Sequence, residues 1–342
     1  MIVLKALPGN GQATEQERIE TFPRPRILTT GVFDGLHQAH RLLVRKVVEK
    51  ARTAAGGGTA MVFTFANHPL SVLAPPYAPK TLLTQARKEE MLEEMGADVL
   101  VMPPFTAELA STDPRTFVEE ILVRRLAIDH LIVGYDFRFG KDGQGDTEFL
   151  GRMAAEQGFG LEVVSAVFHE EHPVSSTYIR DLIDLGRVRL ASEILGRPYE
   201  LEGPVVHGHG RGAQLGFPTA NVDFDTSFAI PAAGVYAVYA VLNGQALRGM
   251  MNIGWSPTFA GSLYRAEVFL FNFEKRDLYG ETLRIFFMER IREERKFENV
   301  HALLERLRVD ETLTHAILDS HPIESFLNPP SPTRDKEPPR HG

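Results

Sequence analysis

Two histidines three residues apart, His37 and His40, sit in the segment GVFDGLHQAH. The segment leads from an apolar stretch into an amphipathic one, so the pair falls where a strand hands over to a helix. Once a helix begins, residues three apart share a face. Their ring nitrogens can then meet an anion beside backbone N–H groups that have no partner inside the helix. Gly31 and Gly35 give the backbone freedom for a tight turn at this point. The chemistry these residues support is the binding and charge stabilisation of phosphate. An ordinary helix start can show the same spacing, and the pair alone does not decide between the two.

A second helix start lies in VSSTYIR, where Ser175, Ser176 and Thr177 are capping types and Arg180 follows one turn on. Hydroxyls and a guanidinium so arranged either clamp a triphosphate or cap a surface helix. Between the two motifs, VGYDFRFGKDGQGD sets Asp136 among aromatic and glycine residues after a strand. It either lines a nucleotide pocket or makes a turn.

Further along, HGHGRGAQLGFPTAN carries Gly208, Gly210, Gly212 and Gly216, then Thr219 and Asn221. The GKS or GKT ending of a Walker loop is absent. Glycines let backbone amides approach phosphate closely, and Thr219 and Asn221 offer neutral oxygens to magnesium, which prefers oxygen and retains waters. The other reading is a glycine-rich hairpin. His207 and His209 raise the question of zinc, but no acidic or cysteine partner stands near them. In RAEVFLFNF, Glu267 is a carboxylate amid Val268, Phe269 and Leu270. It is either a general base or a solvent-facing strand residue.

The elements that must position these groups fall into two textures. From Arg26 to about Leu185, apolar runs alternate with amphipathic stretches, the pattern of an α/β layered domain with a mostly parallel sheet. Strands are expected at Ile27 to Phe33, Ala60 to Phe65, Val99 to Met102 and Leu131 to Val133. Helices are expected at Ala39 to Ala51, Arg87 to Met95 and Arg115 to Leu126. After Tyr199 the runs are β-rich: Tyr199 to His207, Val235 to Leu242, Leu247 to Ile253, Ala266 to Asn272 and Thr282 to Phe287. They imply an antiparallel barrel or sandwich, followed by helices at Val300 to Leu307 and Glu311 to Leu318. The expected limits are 1–184 for the first domain and 185–327 for the second, with 328–342, NPPSPTRDKEPPRHG, too polar and proline-rich to pack.

At 342 residues and 43% hydrophobic content, the chain is long enough for two cores. With no cysteine, disulfides, thiolate nucleophiles and cysteine metal sites are excluded, and catalysis must use oxygen and nitrogen groups. A formal charge of −8 gives no general attraction to polyanions, so nucleic acid is not an expected partner and any phosphate site is local. The start MIVLKALPGNGQ lacks the apolar core of a signal peptide, and no later run reaches membrane-spanning length. A cytoplasmic protein with no membrane partner is expected. Its oligomeric state is not legible.

Taken in order, GVFDGLHQAH, VGYDFRFG and VSSTYIR resemble the FMN adenylyltransferase domain of the prokaryotic bifunctional FAD synthetases. GFPTAN, NIGWSPTF, Glu267 and DLYGETL, also in order, resemble riboflavin kinase. The resemblance spans about residues 15–325 and implies a nucleotidyltransferase domain with a doubly wound parallel sheet, then a Greek-key barrel with terminal helices. It implies that riboflavin and ATP give FMN and ADP, and that FMN and a second ATP give FAD and pyrophosphate, both with magnesium (Mg2+). By it, His37 and His40 stabilise the triphosphate. Gly31, Phe33, Asp136, Ser176, Thr177 and Arg180 join them around the nucleotide. In the second domain Gly208, Gly210 and Gly212 approach the nucleotide, Thr219 and Asn221 hold metal and nucleotide, and Glu267 activates the ribityl hydroxyl. Three positions depart from the family pattern: Ala39 replaces a usual glycine, Ala66 stands where the family commonly has aspartate, and Ala213 replaces a frequent basic residue. The alternatives to a bifunctional enzyme are a riboflavin kinase with impaired adenylylation and a flavin-binding regulator without turnover.

Overall fold

The computed structural model describes residues 1–8, 19–208, 216–258, 261–273 and 277–323, without the side chains of 255–258 and 261–263. The chain divides after Tyr178 into two units, Met1–Tyr178 and Ile179–Gly342. Gly210, Gly212, Ala213 and the 328–342 tail lie outside the described residues.

In the first unit the apolar runs become strands β1 (Ile2–Leu4), β2 (Arg26–Thr30), β3 (Thr59–Phe63), β4 (Val99–Val101), β5 (His130–Gly134) and β6 (Gly160–Val164). They pair in parallel in the order β1-β4-β3-β2-β5-β6. Every residue of β2, β3 and β4 is buried, as a sheet covered on both faces requires. Ile27, Val62 and Leu100 point to one face, where Val44 and Val47 of helix α1 (Gln38–Thr53) and Met91 and Leu92 of α2 (Gln85–Glu94) meet them. Leu28, Met61 and Val101 point to the other, against Ile121 and Leu122 of α3 (Phe117–Arg125) and Leu150 and Met153 of α4 (Thr147–Gln157). The unit is therefore doubly wound. From β2 the chain builds outward through β3 and β4, then crosses to β5 on the other side of β2. That reversal opens a crevice at the carboxyl ends of β2 and β5.

Two local expectations change here. The first strand stops at Thr30 rather than Phe33, because Phe33, Gly35 and Leu36 adopt left-handed backbone with φ of 49°, 77° and 42°. Helix α3 is wound as a π-helix, its closing Leu126 N–H reaching the Ile121 carbonyl five residues back. A short hairpin, β7 (Phe168–His169) and β8 (His172–Pro173), precedes helix α5 (Ser176–Asp184), within which the division between units falls.

In the second unit α6 (Val188–Leu195) leads into β9 (Tyr199–Val206), β10 (Thr219–Val222), β11 (Gly234–Leu242), β12 (Gln245–Thr258), β13 (Gly261–Leu270) and β14 (Thr282–Arg292). These form a closed antiparallel barrel, β10-β13-β12-β11-β14-β9, with β9 pairing back to β10. Side chains alternate between faces. Tyr236, Met251, Val268, Ile285 and Phe287, all 0% exposed, fill the interior. On the outer face of β11 and β14, Ala237, Tyr239, Phe286 and Met288 are covered by Leu318 of helix α7 (Val300–Ser320). The two expected C-terminal helices are this one. The gap left between them, residues 308–310, is helical, and Asp310 within it is fully buried and takes Arg306 of the same helix and Arg292 of β14, each at 2.8 Å. A paired carboxylate with no glycine or proline beside it does not interrupt a helix.

Candidate functional site

The phosphate motif occupies the crevice between β2 and β5. After Thr30, the Gly31 N–H donates to the Phe63 carbonyl at 3.2 Å, and the chain turns through the left-handed residues to the start of α1. Such backbone costs about 1–3 kcal/mol per residue bearing a side chain. Burial of Phe33 and Leu36, both 0% exposed, holds it. Donors from outside the turn fix it further. The Thr64 hydroxyl and the Lys88 ammonium both reach the Val32 carbonyl, at 2.9 and 3.1 Å. The Leu82 N–H donates to the buried Asp34 carboxylate at 3.0 Å, and the Ser176 hydroxyl to the Asp34 carbonyl at 2.8 Å.

The turn delivers His37 as the N-cap of α1 rather than as its first-turn residue, with Nδ1 accepting from the His40 N–H at a long 3.4 Å. The rings still come together: they stack at 3.6 Å between centroids and 17° between planes. The Phe33 ring meets His40 edge-on at 5.1 Å, so Phe33 backs the histidine from the core. His40 Nδ1 is closed off from solvent without a hydrogen-bond partner. Burial, then the His37 ring, then the Lys88 charge push the His40 imidazole well below the ordinary histidine range. At neutral pH it is uncharged.

His37, Ala39, His40, Gly134, Asp136, Ser175 and Ser176 line a cleft of about 300 Å³, within the range of ligand pockets. Segments more than a hundred residues apart in the chain meet in it. Asp136 is exposed at the mouth, its carboxylate folded back over the Gly134 Cα. Ser175 is the residue that caps α5, accepting from the Tyr178 N–H at 3.2 Å, which frees Ser176 to bond Asp34. Gly31 and Thr177 do not line the cleft, and Arg180 falls in the second unit. Ala66, which the resemblance sets against an aspartate, is held by its N–H on the Pro103 carbonyl at 3.0 Å. The neighbouring Asn67 ties its side chain to both the N–H and the carbonyl of Phe105, at 2.8 and 3.2 Å.

On the barrel, Asn221 of β10 stands opposite Glu267 of β13, and Glu267 opposite Asn252 of β12. Facing residues project to the same side of the sheet, with Cβ atoms roughly 5 Å apart. Thr219, two residues before Asn221, shares that side. The row is on the outer face, half-buried, opposite the packed interior that holds Ala266 and Val268. The Asn221 amide lies against the backbone of Gly208, where a Cβ would come within 2.0 Å of its nitrogen. Next to Gly208, the His207 ring meets the half-exposed Tyr279 of the DLYGETL segment, with centroids 3.7 Å apart and planes tilted by 36°. Thr219 hydroxyl and Asn221 amide oxygen are hard oxygen donors on one face, of the kind that suits a magnesium ion retaining most of its waters, and the Glu267 carboxylate stands beside them.

Asp34, Lys88, Asn252 and Tyr279 were not singled out from sequence. For Lys88 a signal existed: it precedes Met91 and Leu92 by three and four residues and is buried with them on the apolar face of α2.

Comparison with known proteins follows this two-part geometry. Residues 19–178 match the family model for FAD synthetase, and residues 195–318 the model for riboflavin kinase. A bifunctional riboflavin kinase/FMN adenylyltransferase of Bacillus subtilis is 36% identical over 291 residues, covering 83% of this chain and 90% of its own length. The protein of the same name from Escherichia coli is 34% identical over 286 residues, with coverage of 83% and 90%. A crystal structure of a macrolide-efflux protein from Streptococcus pneumoniae matches with a TM-score of 0.80 at 30% identity, covering 92% of this chain and 99% of that one. Efflux is said of that protein. In this chain no helix among the described residues is long and apolar enough to cross a membrane.

Proposed function

The chain belongs to the bifunctional riboflavin kinase/FMN adenylyltransferase family, and from that premise we propose that FMN is adenylylated at the β2–β5 cleft and riboflavin phosphorylated along the Asn221–Glu267 row. The overall chemistry is riboflavin plus ATP to FMN plus ADP, then FMN plus ATP to FAD plus pyrophosphate.

At the row, Glu267 accepts the proton of the terminal ribityl hydroxyl as that oxygen bonds to the γ-phosphorus of ATP and the β–γ bridge oxygen leaves with ADP. Thr219 and Asn221 hold a magnesium ion, which when bound would neutralise phosphate charge. Gly208 keeps the space beside the Asn221 amide open. Glycines 210 and 212 are assigned to the nucleotide on the same reading. In the cleft, the FMN phosphate oxygen bonds to the α-phosphorus and pyrophosphate departs. His37, His40 and the first turn of α1 stabilise the charge that develops on the phosphates. Ser176 and Thr177 add hydroxyls, and Asp136 stands at the mouth; Arg180, which the resemblance also assigns to the nucleotide, belongs to the second unit. A neutral His40 suits this role, because it can donate a hydrogen bond to phosphate without the desolvation cost of a buried imidazolium.

The observation that carries the reading is the gathering of His37, His40, Asp136 and Ser176 at the topological switch of a parallel sheet. Incubation with riboflavin and Mg-ATP, with chromatographic separation of the flavins, tests it. FMN followed by FAD is expected. FMN that accumulates without FAD removes adenylylation from the account.

A further inference from the structure

The turn that presents His37 and His40 has a cation beneath it. Lys88, on α2, is 8% exposed, and its ammonium donates to the Val32 carbonyl at 3.1 Å. Burying an ammonium is costly unless it is paired and hydrogen-bonded. The carbonyl it meets already accepts from Thr64 at 2.9 Å, so satisfying that carbonyl does not require a lysine. A neutral residue would complete the core beside Met91 and Leu92 more cheaply. What the ammonium adds is charge, where the backbone passes through strained φ at Phe33 and Leu36 before reaching the histidines. The Asp34 carboxylate within that turn lies close enough to favour the charged form of the lysine, against burial, which pulls its pKa down.

We propose that Lys88 is a positioning residue for adenylyl transfer, its buried ammonium clamping the Val32 carbonyl so that the strained turn holds the His37–His40 pair and the α1 N-terminus at the phosphates. The inference rests on reading the β2–β5 cleft as the adenylylation site. Lys88 does not line the cleft, so it acts through the turn and through its field, not by touching substrate. The groups around the His40 ring are the stacked His37, the edge-on Phe33 and Lys88 itself. Removing the ammonium therefore changes both the placement of His40 and the charge it faces. Misplacing a catalytic group by about 1 Å can cost on the order of a hundredfold in rate.

The test compares Lys88→Met, Lys88→Gln and Lys88→Arg with His40→Ala in the full chain. The readouts are FAD formation from FMN, FMN formation from riboflavin, and the titration of the His40 ring by NMR. Lys88→Met is expected to lower kcat for FAD formation by roughly tenfold to a hundredfold, with FMN formation unchanged and Thr64 still bonded to Val32. The His40 titration should move up, though only in part, because burial and the His37 ring, the larger influences, remain. Lys88→Arg, which keeps the charge, should recover most of the rate and the original titration. A merely structural lysine would lower the melting temperature of the variants without moving the His40 titration or the kcat of the folded fraction, and that result overturns the proposal. Should Lys88→Met fail to fold, Lys88→Gln retains a donor without the charge and gives the same discrimination. If His40→Ala leaves FAD formation intact, the cleft itself is misread. If His40→Ala impairs it and the Lys88 variants do not, only the role of Lys88 falls.

Discussion

His40 is held neutral by its surroundings, and this ties the stability of the parallel-sheet unit to pH. The unfolded chain takes up the His40 proton near the usual 6.5, whereas burial, His37 and Lys88 keep the folded ring unprotonated to well below that value. Below about 6.5 the unfolded state therefore binds more protons, so stability falls on acidification and is flat above. His130, also lowered by burial, acts in the same direction. Thermal melts between about pH 7.5 and 5 are expected to show this loss, and His40→Asn should reduce it, leaving the share that His130 contributes. An unaltered pH slope in that variant would mean that the buried ring is not what titrates. At Glu267 the expectation concerns rate. Glu267→Gln preserves size but removes the base, which contributes roughly 10² to 10⁴-fold. FMN formation should fall by that order with flavin affinity retained, as single-turnover and binding measurements would report. Near-normal turnover assigns Glu267 a structural role. Glu267 was singled out by the motifs in order around it, GFPTAN, NIGWSPTF and DLYGETL, since the strand pattern of RAEVFLFNF alone also fits a solvent-facing glutamate. The spacing of Lys88 to Met91 and Leu92 marks its burial but not its partner, and Asp34 left no such mark, because both act on backbone groups that only the folded turn brings within reach.

The elements show where sequence patterns suffice. Parallel strands buried on both faces announce themselves as apolar runs, and β2 to β5 lie close to where the runs place them. The pattern misjudged where β2 ends, since Val32 and Phe33 continue the apolar run while the backbone leaves the sheet. It also missed β6 and β10, whose partly exposed residues give little contrast, and left 308–310 out of α7, where Asp310 is paired with Arg292, 18 residues away on another element. Barrel register was beyond reach as well, yet it is register that sets Asn221 opposite Glu267. The strand pair also predicts a steric requirement at its edge. Gly208→Ala places a Cβ within 2.0 Å of the Asn221 amide nitrogen. That amide must swing away, so FMN formation should drop by about tenfold or more while the barrel melts nearly as before. Crystallographic or kinetic indifference to the methyl group would show that Asn221 need not lie where it does.

At the scale of the whole chain, two units with separate cores carry two reactions on the same cosubstrate. The change from α/β to β-rich texture sets the expected boundary after Asp184, whereas the compact units divide after Tyr178. If each unit works by itself, a fragment from Asp184 to Leu327 should fold cooperatively and convert riboflavin to FMN, as calorimetry and flavin chromatography would establish. A folded, flavin-binding fragment that makes no FMN contradicts the domain assignment. The central claim, one independent active site per unit, is met most directly by complementation between His40→Ala and Glu267→Gln. With riboflavin and Mg-ATP, His40→Ala alone should stop at FMN, and Glu267→Gln alone should leave riboflavin largely unconverted while still making FAD from supplied FMN. An equal mixture of the two should carry riboflavin through to FAD. A mixture that fails to make FAD, or a single variant that has lost both activities, would contradict the account.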